Sequence, residues 1–358
     1  MQQLVDPISI LRCAVVLVLV GCAAQPPDPT PSASASPTQA PAPTVTVAPA
    51  SASASSTAAA ALSFEVSTYQ VPAGSQPHDV APAADGGVWY TAQATGRLGW
   101  LDPATGEVRE IPLGPGSAPH GVITGPDGAA WVTDSGLNAV VRVDANDQVT
   151  VYPLDAPDAN MNTAAFDGDG ILWFTGQNGV YGSLDPVSGA LFVFAAPRVT
   201  GPYGIAATAD GEIWFGSLAG SYLGAVNRAT GQVEVIDTPT PGGGARRVWP
   251  DAGGRLWVTE WFTGSLAMYE PATATWTEWT LPGANPMPYA VYVDELDGVW
   301  VTDFGSNAIL RFDPATEEWL TFEHESQPAE VRQLLGREGE VWGAESAADQ
   351  LVVVRTVD

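Results

Sequence analysis

Pro119 to Pro153 reads PHGVITGPDGAAWVTDSGLNAVVRVDANDQVTVYP, four short alternating segments divided by turn residues. The pattern predicts strands at His120 to Thr124, Ala129 to Thr133, Ala139 to Asp144 and Gln148 to Tyr152. Gly125-Pro126-Asp127-Gly128, Ser135 to Asn138 and Ala145 to Asp147 are the connections. Apolar residues at every second position put one face of a strand into a core, and Gly, Pro, Asn and Asp interrupt it. Four consecutive antiparallel strands of this length make one propeller blade.

Working outward, tryptophan marks the repeat. Trp89, Trp131, Trp173, Trp214, Trp257, Trp300 and Trp342 are spaced by 42, 42, 41, 43, 43 and 42 residues, within the period of about 40 to 50 expected of four-stranded blades. Six have a glycine three residues earlier (Gly86, Gly128, Gly170, Gly211, Gly254, Gly339), where a tight hairpin needs positive φ. A second turn recurs between third and fourth strands: Asp102-Pro-Ala-Thr-Gly-Glu107, Asp185-Pro-Val-Ser-Gly-Ala190, Asn227-Arg-Ala-Thr-Gly-Gln232 and Asp313-Pro-Ala-Thr-Glu-Glu318. Proline at the second turn position and glycine near the end suit a type I turn followed by a bulge. The seventh unit ends with three strands, and Ser63 to Pro72 matches the missing fourth. The expectation is an all-β, seven-bladed propeller over residues 62–358, its ring closed by pairing the first strand with the last, which removes two open edges.

Before the propeller, Arg12 precedes an apolar run from Cys13 to Val20, too short to span a bilayer, which takes roughly 20 residues, and suited to a signal peptide. Leu19-Val20-Gly21-Cys22 resembles a bacterial lipobox, so residues 1–21 are expected to be a lipoprotein signal and Cys22 the lipidated residue. Residues 22–61 are rich in Ala, Pro, Ser and Thr and have no aromatic residue; such a stretch cannot bury enough surface to order itself and reads as a disordered tether. Localisation follows as exported and anchored at the outer face of the cytoplasmic membrane or the cell surface, with lipid as the only membrane contact and a monomer expected.

The two cysteines lie in these N-terminal segments, which excludes a cysteine nucleophile, a cysteine metal site and disulfides from the propeller. The net charge is -27 and all 13 basic residues are arginine. Nucleic acid is excluded as a partner, since binding needs a cationic footprint, and lysine chemistry is absent. Small molecules, peptides and proteins remain.

In a propeller the first strand of each blade lines the channel, and its start shares one mouth with the end of the second strand. With each hairpin centred four residues before its tryptophan, the residue eleven before faces the residue three after, at about 4.5 to 5.5 Å between Cβ atoms. That sets His78 opposite Ala92, His120 opposite Asp134, Asn162 opposite Gly176, Tyr203 opposite Ser217, Arg246 opposite Glu260, and Tyr289 opposite Asp303. In the last blade Val331 faces Glu345, with Arg332 adjacent. An acidic and aromatic axial mouth results, with ligand-binding candidates Tyr203, Arg246, Glu260, Tyr289, Asp303 and Glu345. His120 beside Asp134 has the makings of a base held by a carboxylate, and Asp134, Glu260, Asp303 and Glu345 are the candidate metal ligands. Each also has a plain structural reading: Arg246 with Glu260 as an ion pair between strands, the tyrosines as rim packing, His120 as repeat consensus. His324, in a fourth strand, reads as solvated. Asp167-Gly-Asp169-Gly170 looks calcium-like but falls where the other blades turn and lacks the later EF-hand ligands.

Units of the form Pro-His-Gly-Val, then Pro-Asp-Gly, then Trp-Val-Thr followed by Asp or Glu (Pro119 to Asp134, Arg255 to Trp261) resemble the virginiamycin B, or streptogramin B, lyase family across all seven blades. The resemblance implies opening of a cyclic depsipeptide by elimination at its ester, with Mg2+. It implies catalytic histidines starting the first strands of two consecutive late blades and a glutamate ending the second strand of the latter. In this chain those positions hold Arg246, Tyr289 and, at or near the glutamate, Asp303. Arginine stays protonated and is a poor base. Two functions follow as expectations. One is a binding propeller taking a small molecule, peptide or protein at its mouth. The other is a carbon–oxygen lyase or hydrolase with a site rotated round the ring to His78, His120 and Asp134 and a divalent metal. A sugar-lactone hydrolase is weaker, since those sites collect carboxylates and asparagine and only Asn162 stands on the ring.

Overall fold

A computed structural model describes residues 62–198 and 201–357. The expected signal segment, Cys22 and tether lie outside the described residues. Seven four-stranded antiparallel sheets are present. In the second blade the strands are Pro119–Thr124, Ala130–Asp134, Ala139–Val143 and Val149–Pro153, within one residue of the boundaries the alternation predicts. The ring closes as expected: Ser63–Gln70 pairs antiparallel with Gln350–Val357 from Ser63 against Val357 to Gln70 against Gln350. First strands pack side by side around the axis, that of the first blade against that of the seventh.

The tryptophans hold blade to blade. Trp131 packs into the core of the third blade with Met161, Leu172 and Phe174. Trp342 joins Val80, Val88 and Tyr90 of the first blade, and Trp257 joins Val291, Val299 and Phe312 of the sixth. Burying an indole of about 200 Å² is worth about 5 kcal/mol at most on area grounds, so one residue per repeat supplies much of each inter-blade contact. In five blades the indole N–H is satisfied by an acid of its own hairpin, as by Asp127 for Trp131 at 3.1 Å and Asp251 for Trp257 at 3.0 Å, whereas Trp89 Nε1 is buried without a partner. The hairpin turns carry positive φ at Gly128, 75°, and in the sixth blade, which lacks the glycine, at Asp297, 59°. Asp167 to Gly170 is such a turn: the Asp167 N–H donates to Ile171 O at 2.9 Å and the Gly170 N–H to Asp167 O at 3.1 Å.

Every first strand carries a β-bulge near its start. Pro119 faces Asp134 and Gly121 faces Thr133, so two residues of the first strand oppose one step of the second. The same break lies between Pro77 and Val80, Met161 and Ala164, Pro202 and Ile205, Ala245 and Val248, Pro288 and Val291, and Val331 and Leu334. A bulge leaves an N–H without a ladder partner. The threonine two residues after the tryptophan supplies one: Thr133 Oγ1 accepts from Gly121 N at 3.0 Å and donates to Asn162 O of the next blade. Thr91 repeats this with Asp79 N (2.9 Å) and His120 O (2.8 Å), and Thr259 with Arg247 N (3.2 Å) and Tyr289 O (2.8 Å).

Candidate functional site

The bulge corrects the facing pairs drawn from sequence. Beyond it the hairpin arithmetic holds, but at the mouth the register is displaced by one residue. Ala92, Asp134, Gly176, Ser217, Glu260 and Asp303 therefore face Pro77, Pro119, Met161, Pro202, Ala245 and Pro288. Only Val331 opposite Glu345 stands as expected, because the last hairpin is one residue shorter. His78, His120, Asn162, Tyr203, Arg246, Tyr289 and, in the seventh blade, Arg332 are the bulged residues, and they meet each other at the axis instead of their own second strands.

The second-strand acids serve their own loops. Asp134 accepts from Ser117 Oγ, Ala118 N and Leu137 N, not from His120. Asp303 accepts from Met287 N at 2.6 Å and from Gly305 and Ser306. Glu345 is ringed by His324, Ser326 and Gln350; burial pushes its carboxyl up, but these hydrogen bonds outweigh burial and hold it below the usual range. His324 is thus not solvated: its side chain is buried, 2.7 Å from Glu345. Glu260 is fully buried, and burial together with the neighbouring Glu278 carboxyl pushes it up to about 9. The four expected metal ligands are not brought together. At the centre of the mouth the carboxylate that meets the ring residues is Asp79, not one of these four.

Two groups occupy the axis. On one side His78 Nδ1 lies 2.7 Å from Asp79 Oδ1, and the His78 and His120 rings are stacked at 3.9 Å. Burial first, then Arg332, Arg247 and Arg246, hold the His78 imidazole well below its usual range. Burial and His78 do the same to His120. Both rings are therefore neutral near pH 7. Burial raises Asp79, against the pull of Arg247, whose guanidinium is 3.6 Å away. On the other side Tyr203 and Tyr289 meet hydroxyl to hydroxyl at 2.5 Å. Arg246 donates to Tyr203 Oη at 2.9 Å and lies over the rings of Tyr289, Trp261 and Tyr203 at 3.5, 4.3 and 4.6 Å. The expected ion pair of Arg246 with Glu260 is absent. Phe304 stacks on Tyr289 at 5.0 Å and meets Trp261 edge-on at 5.7 Å.

Asp79, Arg247, Trp261 and Phe304 were not among the residues the sequence singled out. Asp79 and Arg247 follow ring residues, a position the bulge turns inward. Trp261 and Phe304 follow the second-strand acids of the fifth and sixth blades, where other blades have Gln93, Ser135 or Gln177. An aromatic at that step in two neighbouring repeats was the readable signal. At the opposite end of the channel the same first strands enclose a mostly apolar cavity of about 370 Å³, lined by residues including Ile205, Trp249, Tyr292 and Leu335.

Among the described residues only His78, Asp79 and His120 bring three metal-ligating atoms within 4.8 Å. They do not suit Mg2+, which prefers an octahedron of oxygens, and three guanidiniums bear on the same spot. At the positions where the resemblance implies catalytic histidines stand a guanidinium and a phenol.

The profile of the Virginiamycin B lyase family matches residues 46–275. The virginiamycin B lyase of Nocardia farcinica (strain IFM 10152) is 29% identical over 222 residues, 61% of this chain and 74% of that one. Among solved structures, a streptogramin B lyase superposes with a TM-score of 0.76 at 23% identity, over 82% of this chain and 98% of the other. Selenomethionine-substituted virginiamycin B lyase from Staphylococcus aureus gives 0.77 at 20% identity, over 82% and 100%. At such identities the structural likenesses speak for the fold alone, whereas the profile spans well over half of the chain. This chain belongs to the virginiamycin B lyase family.

Proposed function

We propose that this member of the family is a binding propeller, exported and held at the membrane by lipid on Cys22, which takes a small molecule or peptide group at its axial mouth. The observation that carries the reading is Arg246. It replaces a base by a permanent cation, and its three aromatic neighbours at 3.5 to 4.6 Å hold it there. A guanidinium has no lone pair with which to take the proton that an elimination must remove. Tyr289, in the second of the two positions, is raised by burial and by Tyr203, so it is a phenol and not a phenolate at neutral pH. Lipidation rests on Leu19-Val20-Gly21-Cys22 and the Ala/Pro/Ser/Thr composition after it.

A second reading rests on His78 and His120. The His78–Asp79 contact of 2.7 Å, with His120 stacked on the same ring, holds two neutral imidazoles beside a carboxylate, and Asp79 takes the orienting part first given to Asp134. Such a pair would act as general base in a lyase or hydrolase. The deciding experiment incubates the full chain with a cyclic streptogramin B and Mg2+ and follows products by chromatography and mass spectrometry. The binding reading expects no ring-opened product. A new peak of unchanged mass, abolished by His120→Ala, would replace it with the lyase.

A further inference from the structure

We propose that the axial mouth recognises a carboxylate carried on a flat apolar body, with Arg246 as the anchor. The inference rests on the binding reading above and names the chemistry of its ligand. The first observation is a census of charge. The chain has 13 basic residues, all arginine, against 40 acids. Of the twelve arginines among the described residues, eleven are ion-paired with a carboxylate. Arg246 is the exception. In a molecule of net charge -27 an arginine without an acid is the improbable arrangement, and this one stands on the axis.

The second observation is the set of polar atoms left over around it. Asn162 is fully buried, yet neither atom of its side-chain amide has a partner. His120, 6% exposed, has an unpartnered Nδ1, and Arg246 and Arg332 each have an unpartnered Nε. A buried polar group without a partner costs free energy that a ligand can recover. Arg247 Nε is a further donor without a partner and Asp79 Oδ2 an acceptor, so the guanidinium nitrogens are the group of leftover atoms that an anion would satisfy. Of the three guanidiniums at the mouth, Arg247 pairs with Asp79 and Arg332 with Glu330, while Asp134, Asp303 and Glu345 are taken up by their own loops, so Arg246 is the cation left without an anion.

The third observation excludes the alternatives. Tyr203, Trp261 and Tyr289 form the kind of cage that binds an ammonium through its ring faces, but Arg246 already fills it, so a ligand cation has no seat. A divalent cation meets the three arginines. A carboxylate instead matches the planar fork of a guanidinium, and Trp261, with Phe304 against it, offers flat apolar surface beside it.

The test uses the three histidines of the chain as reporters. His78 and His120 stand at the mouth, and His324, just after the fourth strand of the sixth blade, sits against Glu345 at the end of the seventh blade's second strand. With the full chain labelled at histidine, benzoate is titrated against the imidazole resonances, with benzamide as the isosteric neutral control and inorganic phosphate as a second anion. The expected result is a saturable shift of His78 and His120 with benzoate, no shift of His324, and binding by benzamide and phosphate weaker by about tenfold or more, the worth of one charge-assisted hydrogen bond. Arg246→Gln should lose benzoate affinity by a similar factor, and Arg246→Lys should keep part of it, with unchanged melting temperatures. Benzamide binding at the mouth as tightly as benzoate would overturn the carboxylate while leaving a binding propeller. Phosphate binding more tightly than benzoate, or full affinity in a folded Arg246→Gln variant, would also overturn it. If none of the three compounds moved His78 or His120, the carboxylate proposal would fail; if a broader set of neutral fragments also left them unmoved, the binding reading would fail with it.

Discussion

A single carboxyl shows how position in this fold sets chemistry. Glu260 ends a second strand like Asp134 and Asp303, but it is wholly buried beside Glu278 and carries an oxygen without a hydrogen-bond partner. Its folded value of about 9 lies above the unfolded value of 4.5. The folded state therefore holds one more proton than the unfolded state between those limits, and the stability that Glu260 contributes is present below pH 4.5 and lost as pH rises toward 9. Glu260→Gln keeps the shape and removes the titration. The variant should gain stability over the parent as pH rises from 5 to 8, by about 2 kcal/mol, half of the ~4 kcal/mol that three pH units would give a fully shielded group, the other half being discounted for solvent screening. Chemical denaturation at the two pH values checks this; a difference that does not change with pH would show that Glu260 is ionised in the folded state. The same lesson applies to His120. Its neighbour in the sequence pattern is Asp134, but the carboxylate on its side of the axis is Asp79, within the bulge of the first blade.

At the scale of the element, the Trp-Val-Thr run of the second strand has a job for each residue. The tryptophan fills the next blade, the valine faces its own, and the threonine bonds a bulge N–H and a carbonyl of the next first strand. Thr133→Val is nearly isosteric but leaves Gly121 N–H and Asn162 C=O without their partner in a buried place. The expected cost is about 1 to 3 kcal/mol, read as a fall in the denaturation midpoint, with Thr133→Ser restoring most of it. An unaltered midpoint in the valine variant would mean that the bulge is held by packing alone. Blade and strand boundaries were legible to within a residue because alternation and turn residues are local signals. The bulge was not: it leaves no composition of its own, since Pro-His, Met-Asn, Ala-Arg and Val-Arg all adopt it. It is imposed by the crowding of seven first strands around one axis.

For the molecule as a whole, closure decides stability. Ser63–Gln70 completes the last sheet along eight residue pairs, and Phe64 meets Trp300 and Phe322 of the sixth blade at 5.7 and 5.5 Å. Removal of residues 62–71 should expose the edge of Gln350–Val357, a ready template for another chain. The truncated protein is expected to melt at a markedly lower temperature and to elute as oligomers in size-exclusion chromatography. A monomer with an unchanged melting temperature would show that the ring holds without its clasp.

Seven tryptophans at near-constant spacing, the turn residues between them and a final unit short of one strand determined the number of blades, their boundaries and the manner of closure from the sequence alone. These are periodic, short-range features, and a repeat states each of them seven times. The family resemblance was legible for the same reason, and so was the replacement of two implied histidines by Arg246 and Tyr289. Only the tertiary structure decided which side chains meet. The bulge detached the ring residues from the acids expected to face them, paired His78 with Asp79, and set Arg246 among three aromatic rings drawn from the fourth, fifth and sixth blades. The contacts of Arg246 with Tyr203 and Tyr289, and of the two tyrosines with each other, join residues 40 to 90 positions apart across an axis of approximate sevenfold symmetry, where every repeat offers a similar partner and only the packing of the whole ring selects one.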